Sequence, residues 1–170
     1  DFADAFTVNA AGDITVTRPD LGFTVSTYVP ISTDGVGQVS MRGYQGDDSF
    51  RVAGSHPFGG FGGPGVLIQG GTPSSGSDVL DFNGSGANPI TIDLEDQTIT
   101  EAGSAAVSYA GVETVNLNAN GQTLVVDGTD LSDTFHVTPF NDEDDGSFTH
   151  SGSAGVSFNY DNATTITYNG

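Results

Sequence analysis

Acidic side chains are the main chemical resource of this sequence, and their type and spacing suit a hard cation. Asn141-Asp-Glu-Asp-Asp-Gly146 places four carboxylates in one turn, and such a run repels itself without a counter-ion. Ca²⁺ takes about six to eight oxygens from carboxylates and carbonyls on bent backbone. The sequence therefore predicts calcium as the cofactor, with these candidate ligands: Asp47, Asp48, Asp78, Asp130, Asp133, Asp142, Glu143, Asp144 and Asp145.

Several of these residues also have a structural interpretation. Gly76-Ser-Asp78-Val-Leu80 resembles the RTX calcium repeat, Gly-Gly-x-Gly-x-Asp-x-hydrophobe-x, but lacks its full glycine pattern. An Asp just before a strand can instead accept hydrogen bonds from the amides of a turn. The Asp of the recurring element Asp-x-Phe-x-Val is interpreted first in this way, as a residue that organises a corner.

The charge balance excludes several classes of partner. The chain has 22 acidic residues against three arginines and no lysine, so its net charge is −19. Nucleic acids and anionic membranes both require a basic surface. No apolar run approaches the length that spans a bilayer, so no membrane insertion is expected. The absence of cysteine excludes disulfides and thiolate metal sites.

The sequence predicts a protein without enzymatic activity. The three histidines are scattered along the chain: His56, His136 and His150. No metal-ligand spacing links them, and no pair of carboxylates is singled out for glycoside hydrolysis. A polysaccharide lyase would need basic residues against its acidic sugar, and a surface this acidic repels a polyuronate.

The elements that must position these residues are short strands. Apolar and polar residues alternate with the period of a half-buried strand, Thr, Val, Gly and Asn dominate, and no stretch shows helical spacing. Strand starts lie about ten residues apart, the spacing typical of sandwiches, barrels and solenoids. The predicted strands are 5–8, 13–17, 23–28, 38–43, 49–54, 65–70, 78–82, 90–94, 97–101, 106–110, 113–118, 122–127, 134–138, 147–151, 156–160 and 164–169.

Two sequence elements recur with variable spacing, which indicates a divergent repeat. Asp-x-Phe-x-Val begins at Asp4, Asp48 and Asp133, and Gly-Val-x-x-Val-x-hydrophobe begins at Gly35 and Gly111. We therefore predict a single β-repeat domain over 1–170, with sub-repeats at about 1–53, 77–128 and 129–170. The Gly-rich stretch 54–76 is predicted to be an insertion.

The predicted fold class is all-β, as a parallel β-helix or β-solenoid-like repeat. Turn residues at the corners, apolar residues inside and loops of variable length all favour a stack of coils. The two-residue signals Asn83-Gly84, Asn120-Gly121 and Asp127-Gly128 are also typical of hairpins. An antiparallel β-sandwich of one or two Ig-like units is therefore the alternative.

A family resemblance bears on function. YAGVETVNLNANG at 109–121 and LVVDGTDLSDTFHVTP at 124–139 resemble the β-strand repeats of giant secreted bacterial surface and fibre proteins. The likeness covers 103–170 and, more weakly, 4–52. It implies a secreted or cell-surface location and a structural repeat of an extracellular filament, stalk or cell-surface layer.

Copies of the same unit are then the expected partners, joined head to tail through open β edges. The alternative function is a calcium-dependent adhesin or a carbohydrate-binding module, for which glycans are the partner. Asn83-Gly-Ser85 and Asn162-Ala-Thr164 fit the Asn-x-Ser/Thr acceptor pattern, so Asn83 and Asn162 are candidate glycosylation sites.

Overall fold

The computed structural model describes residues 3–17, 33, 35–73, 76–140, 142, 144–153 and 155–170. This part of the chain is all-β, as predicted, and its one helical element is a single 3₁₀ turn at Gly60–Gly62. None of it forms a helix long and apolar enough to cross a bilayer. The predicted strand at 23–28 lies outside the described residues.

The strands are β1 (Ala5–Val8), β2 (Ile14–Thr17), β3 (Val39–Gln45), β4 (Ser49–Ala53), β5 (Val66–Thr72), β6 (Val79–Asn83), β7 (Ile90–Asp93), β8 (Thr98–Glu101), β9 (Val107–Ala110), β10 (Thr114–Asp127), β11 (Phe135–Pro139), β12 (Gly146–His150) and β13 (Ser157–Asn169).

The thirteen strands form one curled sheet in which parallel and antiparallel pairings are mixed. Parallel pairing joins β1, β4, β6 and the first halves of β10 and β13 into what we call the main ladder. A second parallel set joins β7 to the second halves of β10 and β13, and a third joins β3, β5 and β9. Antiparallel pairs attach β2 to β1, place β8 between β7 and β9, and build β11 and β12 onto β13.

The alternation in sequence sets which face of each strand is buried. In β10, Val115, Leu117, Ala119, Leu124 and Val126 are buried. The residues that alternate with them are partly buried, and Asn120 and Gly121 at the bend are exposed. Strands predicted separately at 113–118 and 122–127 form one bent strand. Its corner uses left-handed backbone at Asn120–Gly121, with φ of 50° and 82°, a conformation that Asn and Gly adopt at low cost.

The Asp-x-Phe-x-Val repeat stacks partly on itself. Phe6 pairs with Phe50 across the main ladder, and their rings stack in parallel with centroids 5.1 Å apart. Leu80 of β6 continues the same row. The copy that begins at Asp133 does not join the stack, because its strand β11 pairs antiparallel with β12.

The Gly-Val-x-x-Val copies are not equivalent in the structure. Val39 pairs with Val66 in the third parallel set, whereas Val115 pairs with Leu80 in the main ladder. The two segments therefore occupy different positions in the sheet, although every half-buried strand shares the same two-residue alternation. The alternation indicates that one face of a strand is buried, but it does not indicate which ladder the strand joins.

The core is one continuous apolar cluster. At its C-terminal end it consists of packed aromatic rings. There Phe148 of β12 stacks on Phe158 of β13, with centroids 4.7 Å apart and planes 1° from parallel. Phe135 and Tyr168 pack against the same group. The β11–β12 hairpin therefore covers the first half of the last strand.

Two phenylalanines of contrasting burial test this description of the core. Phe50 is 0% exposed and Phe61 is 87% exposed. We expect Phe50→Ala to lower the free energy of unfolding by about 3–5 kcal/mol, because it removes a buried ring and leaves a cavity. Phe61→Ala should change it by no more than about 0.5 kcal/mol. Urea unfolding followed by circular dichroism measures both, and equal effects would contradict the assigned burial.

Candidate functional site

The outer face of the main ladder carries a polar groove of about 450 Å³. Its floor is formed by outward-facing side chains of β4, β6, β10 and β13. Phe140 and Asp145, at the two ends of the turn that joins β11 to β12, form one wall. The hairpin that closes the core thus also borders this groove.

One row of the groove floor is a chain of hydrogen-bonded side chains. Arg51, Asp81, Asn116 and Asn159 occupy matching positions on four neighbouring strands. The Asn116 amide donates from Nδ2 to Asp81 Oδ1 at 2.8 Å, and the Asn159 amide donates to Asn116 Oδ1 at 2.8 Å. Arg51 Nη2 lies 3.4 Å from Asp81 Oδ2. These bonds fix the orientation of both amide groups.

A second row, Asn83, Asn118 and Asp161, follows on the same face. Burial raises the pKa of the Asp161 carboxyl, and a hydrogen bond with the Asp145 carboxyl and the negative charges of Asp145 and Asp144 raise it further. In this acid pair, Asp161 therefore binds a proton more readily than an isolated carboxyl group does.

No sequence pattern marks these floor residues as a site. Arg51 is one of three arginines in the chain, and Asp81, Asn116 and Asn159 belong to none of the candidate metal or glycan sites. They occupy outward positions of their strands, so an alignment of the stacked strands would have placed them in one row. The sequence alone does not supply that alignment, because the intervening loops differ in length.

Two of the predicted calcium ligands, Asp48 and Asp78, lie instead at one corner of the sheet, in a carboxylate ladder that also includes Asp4 and Glu113. The Asp4 amide donates to Asp48 Oδ1 at 2.6 Å, and the Asp48 amide donates to Asp78 Oδ1 at 2.8 Å. The Asp78 amide donates to Glu113 Oε2 at 2.8 Å. The carboxylates of Asp48, Asp78 and Glu113 thus each accept a bond from the main chain next to the neighbouring strand. Asp47 lies beside the ladder.

Asp48 and Asp78, in the middle of the carboxylate ladder, are buried, and burial is costly for charged groups. Burial raises the pKa of Asp78, and the charges of Asp48, Glu113 and Asp47 raise it further, while the bond from the Asp48 amide opposes the shift. Gly70 makes room for Asp78, because a Cβ there would collide with the Gly111 carbonyl oxygen and lie 2.8 Å from the Asp78 carboxylate. The corner therefore depends on glycine as well as on aspartate.

Gly70→Ala tests this close approach. We expect the substitution to lower the free energy of unfolding by about 1–3 kcal/mol, because the added methyl group must displace main chain. Gly59→Ala is the matched control, since nothing lies within 4 Å of its Cβ position and its φ of −84° suits alanine. Denaturant unfolding measures both variants, and a stable Gly70→Ala protein would contradict the described corner.

Asp133, another predicted calcium ligand, organises a turn. Its carboxylate accepts bonds from the Thr129 amide and hydroxyl, both at 2.9 Å, and from His150 Nε2 at 2.6 Å. The Gly152 amide donates to His150 Nδ1 at 3.1 Å, so the ring proton lies on Nε2, toward Asp133. The side chains of Asp133 and His150 are buried. The Thr129 amide, and then His150, hold the pKa of Asp133 below its ordinary value.

The lowered pKa of Asp133 predicts a defined pH dependence. The ionised carboxylate stabilises the fold fully above the unfolded pKa of about 3.9, and this stabilisation is lost as pH falls through the lower folded pKa. Asp133→Asn should therefore melt several degrees below the parent at pH 7, and the gap should narrow toward pH 2. Asp142→Asn, at an exposed position, should match the parent throughout. A gap that stays constant with pH would contradict the assigned role.

The remaining candidate ligands are spread over the surface. Asp142 is exposed, the Asp144 carbonyl oxygen accepts from the Ala163 amide at 3.1 Å, and Asp145 Oδ1 accepts from the Asn162 amide at 3.3 Å. Asp130 is exposed, and Glu143 lies outside the described residues. Across the described residues, no three His, Cys, Asp or Glu side chains are grouped to hold a metal ion. Calcium binding stays a prediction.

The two predicted glycan acceptors are both exposed. Asn83 lines the groove, whereas Asn162 lies at the corner of β13 with a φ of 56°. The Ser85 hydroxyl of the first acceptor pattern hydrogen-bonds to the Glu101 carboxylate. Their modification stays a prediction.

Comparison with known proteins gives no family for this chain. No protein-family model, curated protein or solved structure matches it. Inference about function therefore depends on the groove, the carboxylate ladder and the edges of the sheet.

Proposed function

We propose that this chain is a structural repeat of an extracellular filament, stalk or cell-surface layer, built as a β-solenoid. The observation that supports the proposal is the stacking of Asp4–Val8 on Asp48–Val52 in register, residue for residue over the strands. A sequence repeat that pairs with itself in parallel is the elementary contact of a solenoid. The role is mechanical and involves no catalysis, and the partners are further copies of the unit.

The carboxylate ladder supports a mechanical role that needs no cofactor. It links four successive strands of the main ladder by side-chain bonds in addition to the main-chain pairing. Both kinds of bond act between neighbouring strands, so the stack is held along its length in the absence of disulfides. A module that transmits force along its axis needs such contacts between every pair of coils.

The edges of the sheet suggest where one copy joins the next. Among the described residues, β2 pairs with β1 alone, and the second half of β13, residues 163–169, pairs with β10 alone. An unpaired strand edge is a template for another chain. Two unlike edges that pair with each other form a heterologous contact, which continues into a fibre.

Electron microscopy and sedimentation of the purified chain test assembly. We expect regular threads, with Thr167→Lys abolishing them because a charged side chain at a strand edge blocks further pairing. Thr149→Lys is the control, since Thr149 is equally exposed but lies on β12, between β11 and β13. Monomers at every concentration, or threads that survive Thr167→Lys, would overturn the proposed mode of assembly.

A further inference from the structure

We propose that the polar groove on the main ladder binds a neutral saccharide chain. This site is separate from the strand edges through which copies would join, so it does not depend on assembly. Its volume of about 450 Å³ lies in the range of small-molecule sites, roughly 300–1,000 Å³. The ligand class follows from the donors, acceptors and charges that line the groove.

The groove floor offers hydrogen-bond donors and acceptors side by side, which is what a hydroxyl group needs. Asn116 and Asn159 each use one Nδ2 proton within the row and keep a second. An amide also carries an acceptor oxygen, so Asn159 presents both functions beside Asp161. Sugar hydroxyls both donate and accept, whereas an apolar ligand would leave these groups unsatisfied.

The charges of the groove favour a neutral ligand. The one cation among the lining residues, Arg51, lies against Asp81. Asp145 and Asp161 add negative charge at the far end, so a uronate or phosphate chain would be repelled. The acid pair in contact leaves at least one carboxyl oxygen able to accept from a hydroxyl.

Phe140 supplies an apolar wall beside this polar floor. Its side chain is 52% exposed, and its amide donates to the Asp145 carbonyl oxygen at 3.1 Å, which anchors the main chain there. A pyranose ring has an apolar C–H face and polar edges, so packing on a phenyl ring removes apolar area from water while the edges stay hydrogen-bonded.

The groove is also preorganised, which lowers the entropic cost of binding. Arg51, Asp81, Asn116 and Asn159 project from paired strands, and the hydrogen bonds of the row hold the two amides in one orientation. A site whose side chains are already ordered loses less freedom when a ligand arrives. A flat surface with freely rotating amides would not offer this.

Binding is tested with defined soluble probes on the full chain in EDTA. The probes are maltohexaose, cellohexaose, laminarihexaose and mannohexaose as neutral chains, with hexagalacturonic acid as the anionic comparison. We expect at least one neutral probe to bind by calorimetry and to shift the Asn116 and Asn159 side-chain amide signals in NMR spectra. The acidic hexamer should not bind.

Variants then locate the site. Phe140→Ala and Asn159→Ala should each weaken binding about tenfold, while Phe61→Ala, which removes an exposed ring elsewhere, should bind as the parent does. Melting curves confirm that each variant is folded, and Thr167→Lys should retain binding even where it abolishes threads. The proposal is overturned if no neutral probe binds in EDTA or if the acidic hexamer binds as tightly as the neutral probes. It is also overturned if both groove variants bind like the parent.

Discussion

The register between parallel strands is the constraint on which the rest of this structure depends. Neighbours in the main ladder come from distant parts of the chain, so no tight hairpin fixes their alignment. A slip of one residue would turn every apolar side chain of a strand toward water. The carboxylates of Asp48, Asp78 and Glu113 oppose such a slip, because each binds one particular amide of the neighbouring strand.

The same register aligns the core residues on one face of the sheet and the groove residues on the other. The alignment that stacks Phe6 on Phe50 at the core also places Asp81 beside Asn116 on the outer face of the sheet. The register has an electrostatic cost, since burial and then the neighbouring like charges raise the pKa of Asp78. The hydrogen bond from the Asp48 amide offsets part of that cost, and the absence of a side chain at Gly70 leaves room for the Asp78 carboxylate.

The β11–β12 hairpin shows that the Asp-x-Phe-x-Val element also occurs in a different structural setting. Asp133, just before this hairpin, belongs to the same sequence element as Asp4 and Asp48, yet it binds Thr129 and His150 instead of a residue beside a neighbouring parallel strand. The hairpin stacks Phe148 on the core and places Phe140 at the groove. By pairing with the first half of β13, it leaves residues 163–169 as the part of that strand's outer edge that has no partner strand among the described residues.

Local patterns in the sequence are enough to predict the all-β class, nearly all strand positions in the described residues and the role of aspartate at corners, because alternation and turn chemistry are local properties. They do not predict which strands are neighbours: Val39 and Val115 have similar sequence contexts but lie in different ladders. The groove could not be recognised from the sequence either, because Arg51 and Asn159 are over a hundred positions apart. These features follow from the folded structure, because pairing between distant strands depends on how the intervening loops close and on which side chains the core accepts.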